Sequence, residues 1–466
     1  MSLLEEDPKQ VLLEEPESTP KWLVTLKTVA TLLVLTLLMP LSLLATCTVY
    51  VYHTLLGESP QGDCPPNKVK TVMLTGAKMT KCLQLARLFW KAGHRVVMVE
   101  SHKYWLTGHR YSRAVSKFHT VPAPEKDPEG YAKALVDLAI EENVDIFVPV
   151  SSPASSVYSA MAKERLQKHC EVLHFDYDDC RTLDDKYLFC AKARALGLPA
   201  PQVHLITSPE QLASFDFSAP EHVGRQYIIK SICYDSVTRL DLTRLPCPNI
   251  KEFAFKLPIT KAKPWVLQEF VKGKEYCSHS LCRDGKVVLH CCSESSAFQV
   301  NYKNVDKPKI TQWVQKLAEE MKLTGQASFD FIETPGGDVF PIECNPRTHS
   351  AITTFHDHPG LAHAYLEAPA KGSHEIAEPL KSSKPTYWLA HELFRLTQAG
   401  SMAQMREIMG RITNGKEAML HPEDPLPFLM VHHWHVPLLL LKALWHGKEW
   451  VRIDFNIGKL VEVGGD

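Results

Sequence analysis

The segment ASFDFIETPGGDVFPIECNPR, residues 327–347, carries the side chains best suited to chemistry. Two apolar strand patterns flank the turn Pro335-Gly336-Gly337, which puts Asp330 on the first strand and Glu343 on the second. Asn345 follows Glu343 by two residues and so shares its face. Three oxygen donors on one face suit a hard divalent cation such as Mg2+ or Mn2+, which takes a few protein ligands and leaves positions for phosphate oxygens and water. Arg347 adds a planar fork for an anion. His349 is a candidate base for an ammonium proton, and equally a residue that only hydrogen-bonds structure. Read alone, acids and amides at strand ends also serve as solvated or turn-capping groups.

Further signals lie upstream. Lys230 ends the apolar strand YIIK, and Lys186 follows Asp184-Asp185 at a helix start. Lone lysines of this kind are ordinarily surface residues. The run Gln268-Glu269-Phe270-Val271-Lys272-Gly273-Lys274-Glu275 is a strand that turns at Gly273 and resumes. Backbone groups at such a hinge can hydrogen-bond an adenine edge, with Glu275 accepting from ribose hydroxyls; on its own the pattern is a hairpin. The runs HHWH (432–435) and HDH (356–358) lack a second ligand pair at zinc spacing and are not read as a metal site.

Two kinds of element must position these residues. From 69 to about 180, apolar strand patterns alternate with helical ones, which predicts an α/β unit with a parallel sheet covered on both faces. A short helix follows, over 183–197. Beyond it the strands at 226–232, 265–271, 275–282, 286–293, 327–333 and 339–344 come in succession, two of them joined by the tight turn Arg283-Asp284-Gly285. This predicts an α+β unit, largely antiparallel, over 184–370. Residues 371–466 show helical patterns and include PFLMVHHWHVPLLLLKALW (427–445), too short and His-rich to span a bilayer securely; packing on the preceding unit is the favoured reading, contact with the membrane the alternative.

Composition narrows the classes. The 466 residues carry 52 Lys plus Arg against 53 Asp plus Glu, and 45% are hydrophobic, enough for two or three cores and no motive for nucleic-acid binding. The 13 Cys are scattered without repeated CxxC pairs, which fits a reducing compartment. One stretch breaks the globular picture. Residues 28–52 hold no charge, and 25 residues at about 1.5 Å each cross a hydrocarbon core of roughly 30 Å. An acidic tail (1–27) precedes it, against a cleaved signal peptide, and a Pro/Gly-rich linker (57–68) follows. The expectation is a single-pass membrane helix, with a buried or surface-lying helix as the alternative.

Together these signals resemble the ATP-grasp superfamily: a Lys at the entry helix, a Lys on a strand, a Q-E-x-V hinge with Glu seven residues after the Gln, then D-x12-E-x-N. The resemblance implies an ATP-grasp fold preceded by a Rossmann-like domain. It implies ATP phosphates held by Lys186 and Lys230, adenine by Gln268, Glu269 and Val271, and ribose by Glu275. Asp330, Glu343 and Asn345 would hold two Mg2+ ions, with Arg347, Lys230 and His349 in catalysis. Longer strings, among them TGAKMTKCLQLAR, ESHKYWLTGHRYS, KSICYDSVTRL, IECNPRTHSAIT and IDFNIGKLVEVGGD, resemble the mycosporine-glycine synthase family, whose ligases join glycine to 4-deoxygadusol in the biosynthesis of mycosporine ultraviolet screens.

By that likeness the acceptor lies near Thr75-Gly76 and Ser151-Ser152, with Tyr104, Trp105 and His109 as part of its wall or as core. Two departures stand out. Lys230 is followed by SICYDSVTR without the usual glycines, so that hydroxyls and Arg239 would substitute. Ser328 stands where carboxylate-activating ligases carry an oxyanion-binding Arg. An ATP-dependent carboxylate-amine ligase is the alternative, and a membrane-tethered nucleotide-binding scaffold a third. The catalytic part would face the cytosol, where ATP is, and assembly as a homo-oligomer is open.

Overall fold

Residues 20–56, 68–150, 155–232, 241–295, 301–368 and 375–462 are described in the computed structural model of the chain. Helix α1 (Lys21–Leu56) comes first and is longer at both ends than the 28–52 run; Pro40 lies inside it without ending it.

The alternation after residue 69 folds as β1 (Thr71–Thr75), α2 (Thr80–Lys91), β2 (Arg95–Ser101), β3 (Lys117–Val121), α3 (Pro128–Glu141), β4 (Ile146–Val148), α4 (Ser156–Leu166) and β5 (Glu171–Val172). The strands form one parallel sheet in the order β3-β2-β1-β4-β5. Both faces are covered, which is why these strands read as continuous apolar runs. Met73, Val97 and Phe147 pack against α3 and α4, while Val72, Leu74, Met98 and Val148 face α2 and the C-terminal region. Helix α3 starts where Asp127 accepts from the Gly130 N–H at 2.9 Å and Pro128 occupies the first turn.

Helices α5 (Tyr177–Asp184) and α6 (Lys186–Ala195) lead into two antiparallel sheets. The first comprises β6 (Val203–Ile206), α7 (Pro209–Ala213), β7 (Tyr227–Ser231), α8 (Ile250–Lys256) and β8 (Trp265–Glu269), with β8 central. The second is formed by β9 (Lys274–Arg283), β10 (Lys286–Glu294), β12 (Gly325–Glu333) and β13 (Val339–Asn345) in the order β10-β9-β12-β13, with α9 (Pro308–Met321) packed on it, while the short β11 (Asn301–Tyr302) pairs outside it with a strand of the C-terminal region. Asp284 and Gly285 both have positive φ, as a two-residue hairpin requires. Helix α9 is absent from the sequence reading although Ile310, Trp313, Val314 and Leu317 recur at helical spacing and are buried beneath the sheet.

The C-terminal region differs from its expected all-helical form. Helix α10 (Leu361–Leu366) precedes it, and the region itself holds β14 (Thr386–Tyr387), α11 (Leu389–Thr397), α12 (Met402–Asn414), β15 (Lys416–Glu417), α13 (Leu426–Met430), α14 (Val436–Trp445) and the hairpin β16 (Trp450–Asp454) and β17 (Lys459–Glu462). Residues Val431–His435 between α13 and α14 form a π-turn. Pro437 withholds an N–H from the helix ladder, and the turn before it widens. HHWH is thus helical packing, with His432 stacked on Phe455 at 4.8 Å. The region also reaches beyond the antiparallel unit it was expected to pack on. Arg87 of α2 pairs with buried Asp424 at 2.9 Å and donates to Met419 O at 2.8 Å, and the Trp388 indole donates to Thr80 at 3.1 Å.

Candidate active site

Strands β12 and β13 pair antiparallel with Asp330 directly opposite Glu343, and Ser328 opposite Asn345. On the other side of β12, Cys277 of β9 is the partner of Asp330 and Glu275 that of Ile332. Alternation therefore places Glu275, Ser328, Asp330 and Glu343 on one face of the sheet, and Phe329 and Phe331 on the opposite face in the core. From the neighbouring elements two lysines reach this face. Lys186, at the start of α6, lies 3.2 Å from Glu343. Asp185 caps that helix by accepting from the Tyr187 and Leu188 N–H groups at 2.8 and 2.9 Å, which fixes where Lys186 begins. Lys230, near the end of β7, interacts with Glu343, Glu275 and Asp330.

The electrostatics follow from two half-buried acids facing each other. Burial, then the charges of Glu343 and Glu275, push the Asp330 carboxyl up to about 8, against the pull of Arg347 and Lys230. For Glu343 burial is also the largest influence, but Lys186, Lys230 and Arg347 together outweigh it and hold the carboxyl below its ordinary range. Burial lowers Lys230 and Arg347 despite these acids. One acid is thus satisfied by cations and the other is not. The unsatisfied acid beside a second carboxylate is what a divalent cation would relieve, so the donor set fits Mg2+.

Several residues take roles different from those expected. The Gln268 side chain is buried and donates to Ile342 O of β13 at 2.9 Å, tying the two antiparallel sheets together rather than facing a base. Glu269 is occupied by an ion pair with Arg225 and by the Gln202 N–H at 3.0 Å, which leaves an adenine contact to the backbone of this hinge. Val271, next along, makes no backbone hydrogen bond among the described residues. Exposed Glu275 accepts from Ser295 Oγ at 2.8 Å. The Asn345 oxygen accepts from Arg347 Nη2 at 2.7 Å, so metal ligation there competes with the guanidinium. His349 is buried; its Nδ1 accepts from the Ala351 N–H at 3.1 Å, its ring meets Tyr302 edge-on, and burial holds it well below 6.5. It is a neutral imidazole with a buried Nε2 that has no partner among the described residues.

At the carboxyl ends of the parallel strands, Gly76 has φ +75 and approaches Val150 O so closely that a Cβ would lie 2.7 Å from it. His109 is core: its Nδ1 meets Ala77 O at 2.9 Å and burial pushes it down to about 3. Tyr104 is also buried, with Lys78 Nζ 3.6 Å from its ring centre, while Trp105 is exposed. Ser151, Ser152 and Arg239 fall outside the described residues.

Two participants were missed. Lys81, in the first turn of α2, is buried and donates to Thr348 O at 2.5 Å, beside Arg347. Asp184 ends α5 next to Arg347 and Lys186, and burial raises its carboxyl. For Lys81 the local signal is only its place in the first turn of the helix that follows the Gly76 turn, which does not by itself bring it to Thr348.

Among solved structures, the ADP complex of PurK, an N5-carboxyaminoimidazole ribonucleotide synthetase, superposes with a TM-score of 0.52 at 14% identity, over 71% of this chain and 85% of that one. The chain has the ATP-grasp fold. At 15% identity, an L-amino acid ligase from Bacillus licheniformis aligns with a TM-score of 0.45 over 64% of this chain and 70% of its own. The biotin carboxylase domain of Hydrogenobacter thermophilus 2-oxoglutarate carboxylase, in complex with MgADP, aligns with a TM-score of 0.45 at 13% identity, over 60% and 65%. No family model matches the chain, and no curated protein does. At these identities the likeness is one of fold.

Proposed function

We propose that the chain is an ATP-dependent ligase that forms a C–N bond and releases ADP and phosphate, and that it joins glycine to 4-deoxygadusol to give mycosporine-glycine. The carrying observation is the convergence of Asp330 and Glu343 with Lys186, Lys230 and Arg347 on one sheet face of an ATP-grasp fold. In this reading residues 69–180 are a Rossmann-like acceptor domain and 184–370 the ATP-grasp domain. The ketone-specific part rests on the family strings and on Ser328, buried where an acyl-oxyanion Arg would stand in a carboxylate-amine ligase.

The chemistry is phosphoryl transfer to an enol oxygen of the cyclohexenone, followed by addition of the glycine amine to that carbon and loss of phosphate to leave an enaminone. Such transfer is governed by positioning and charge neutralisation. Lys186 and Lys230 would align the ATP phosphates and Arg347 would hold the acceptor oxygen. His349, whose Nδ1 accepts from Ala351 and whose proton therefore sits on Nε2, would donate from Nε2 to a substrate oxygen rather than act as the base, with the ammonium proton leaving on the departing phosphate. Asp330, Glu343 and Asn345 would hold Mg2+, two ions in the resembling superfamily, which would neutralise charge on the transferred group.

The deciding experiment incubates the full chain with ATP, Mg2+, 4-deoxygadusol and glycine. A near-ultraviolet-absorbing product formed together with ADP is expected. ADP release with a carboxylic acid, and none with the cyclohexenone, would instead make the chain a carboxylate-amine ligase.

A further inference from the structure

Helix α1 is seated on the C-terminal region along nearly its whole length. Its inward stripe runs through Thr28, Leu32, Leu35, Thr46 and His53, spacings of one helical face. At one end Lys27 Nζ donates to Trp450 O at 2.8 Å and Val451 O at 3.0 Å, and the Trp450 indole donates to Thr28 at 3.0 Å. At the other, His53 lies 3.9 Å from Glu423, just before α13. So α1 runs antiparallel to the α13–α14 helix, and the 36-residue rod of about 54 Å is held sideways against the folded body.

Thr28, Thr46 and His53 face the protein together with Leu32 and Leu35, while most of the leucines, valines and aromatics are turned away along with Thr25, Thr36, Thr48 and Thr54, Leu37 and Leu55 being each 75% exposed. On α14, Leu441 and Trp445 extend the same character, Trp445 being 86% exposed. The exposed side chains of α1 wrap more than half of its circumference, which a rigid partner meeting one stripe would leave largely uncovered and fluid acyl chains would not. The charge also selects the occupant. Neither α1 nor the segment 426–445 contains an Asp or Glu; their exposed lysines are Lys21, Lys27 and Lys442, all cationic, which complement anionic headgroups and would repel their like on a second copy.

We propose that α1 does not cross the bilayer: α1 and α14 form one apolar slab that lies in the plane of a single leaflet carrying anionic lipid. A helix spanning the bilayer would leave the protein surface within its first turns, whereas this one stays in contact from Thr28 to His53. The slab enters by its outward half, to the depth of an interfacial helix, and holds the folded body on one side. Nothing in this depends on the catalytic reading.

The test uses the full chain in sealed, cytoplasmic-side-out membranes, carrying either Pro20→Cys or Leu56→Cys at opposite ends of α1, with modification by an impermeant maleimide read by peptide mass. Both ends should react without detergent. Reaction of one end only after detergent would mean a spanning helix and overturn the proposal, as would recovery of the chain in the soluble fraction. A second readout is binding of the purified chain to vesicles of phosphatidylcholine with phosphatidylglycerol. Trp445→Asp should weaken it by about tenfold or more, and pure phosphatidylcholine should bind less; indifference to Trp445→Asp would remove α14 from the slab.

Discussion

Asp330 and Glu343 face each other across a strand pair, and their neighbours favour the charge of one while opposing that of the other. Removing one acid should therefore separate activity from stability. Asp330→Asn keeps the shape but relieves the repulsion. We expect turnover with ATP and Mg2+ to fall by at least about a hundredfold, while the Tm without metal stays level or rises; activity assays and calorimetry on the same preparation check this. This pair was legible because residue alternation and a Pro-Gly-Gly turn set which side chains meet. Lys81 was not, since its partner Thr348 lies 267 positions away and no local pattern encodes that meeting. Nor could spacing foretell that Arg347 would bind the Asn345 oxygen.

The strands that build the site were readable as apolar runs, and the helices between them where their periodicity was strong. The exposed edge strand β3, the four-residue β6 and the two-residue pairings β11–β14 and β14–β15 are too short or too polar for a period-2 signal, and their existence depends on tertiary contacts. Gln268 shows how an element changes a residue's meaning. Read as part of an adenine hinge, it instead bridges β8 to the backbone of β13, so that the sheet carrying Lys230 is registered against the sheet carrying Glu343. Gln268→Leu leaves the Ile342 carbonyl buried without its donor, a cost of about 1–3 kcal/mol. Denaturant unfolding should show that loss. A rise of less than about tenfold in the KM for ATP would accompany it, because no base contact is removed.

Across the molecule, several histidines are interior groups kept neutral. Burial pushes His109 down to about 3 and His174, His290 and His391 down to about 4. Each folded pKa lies below the unfolded value near 6.5, so the unfolded chain binds protons that the folded chain refuses, and stability is lost as pH falls from about 6.5 toward 4. The limit is about 1.4 kcal/mol per pH unit for each group, enough for four together to exhaust a typical domain's stability. Tm followed from pH 7 to pH 4.5 should fall steeply below pH 6, and a flat profile would contradict these burials. The seat of α1 has a consequence in time. Lys27 bonds to Trp450, 423 positions later, so α1 is made long before its partner and is among the last helices to find its place. Through nearly the whole of synthesis even its inward residues, Leu32 and Leu35 among them, have no protein surface to cover them. The nascent chain therefore presents a bare apolar helix to any factor that sorts new chains by such helices, and delivery to the membrane can begin before the body that will hold α1 exists.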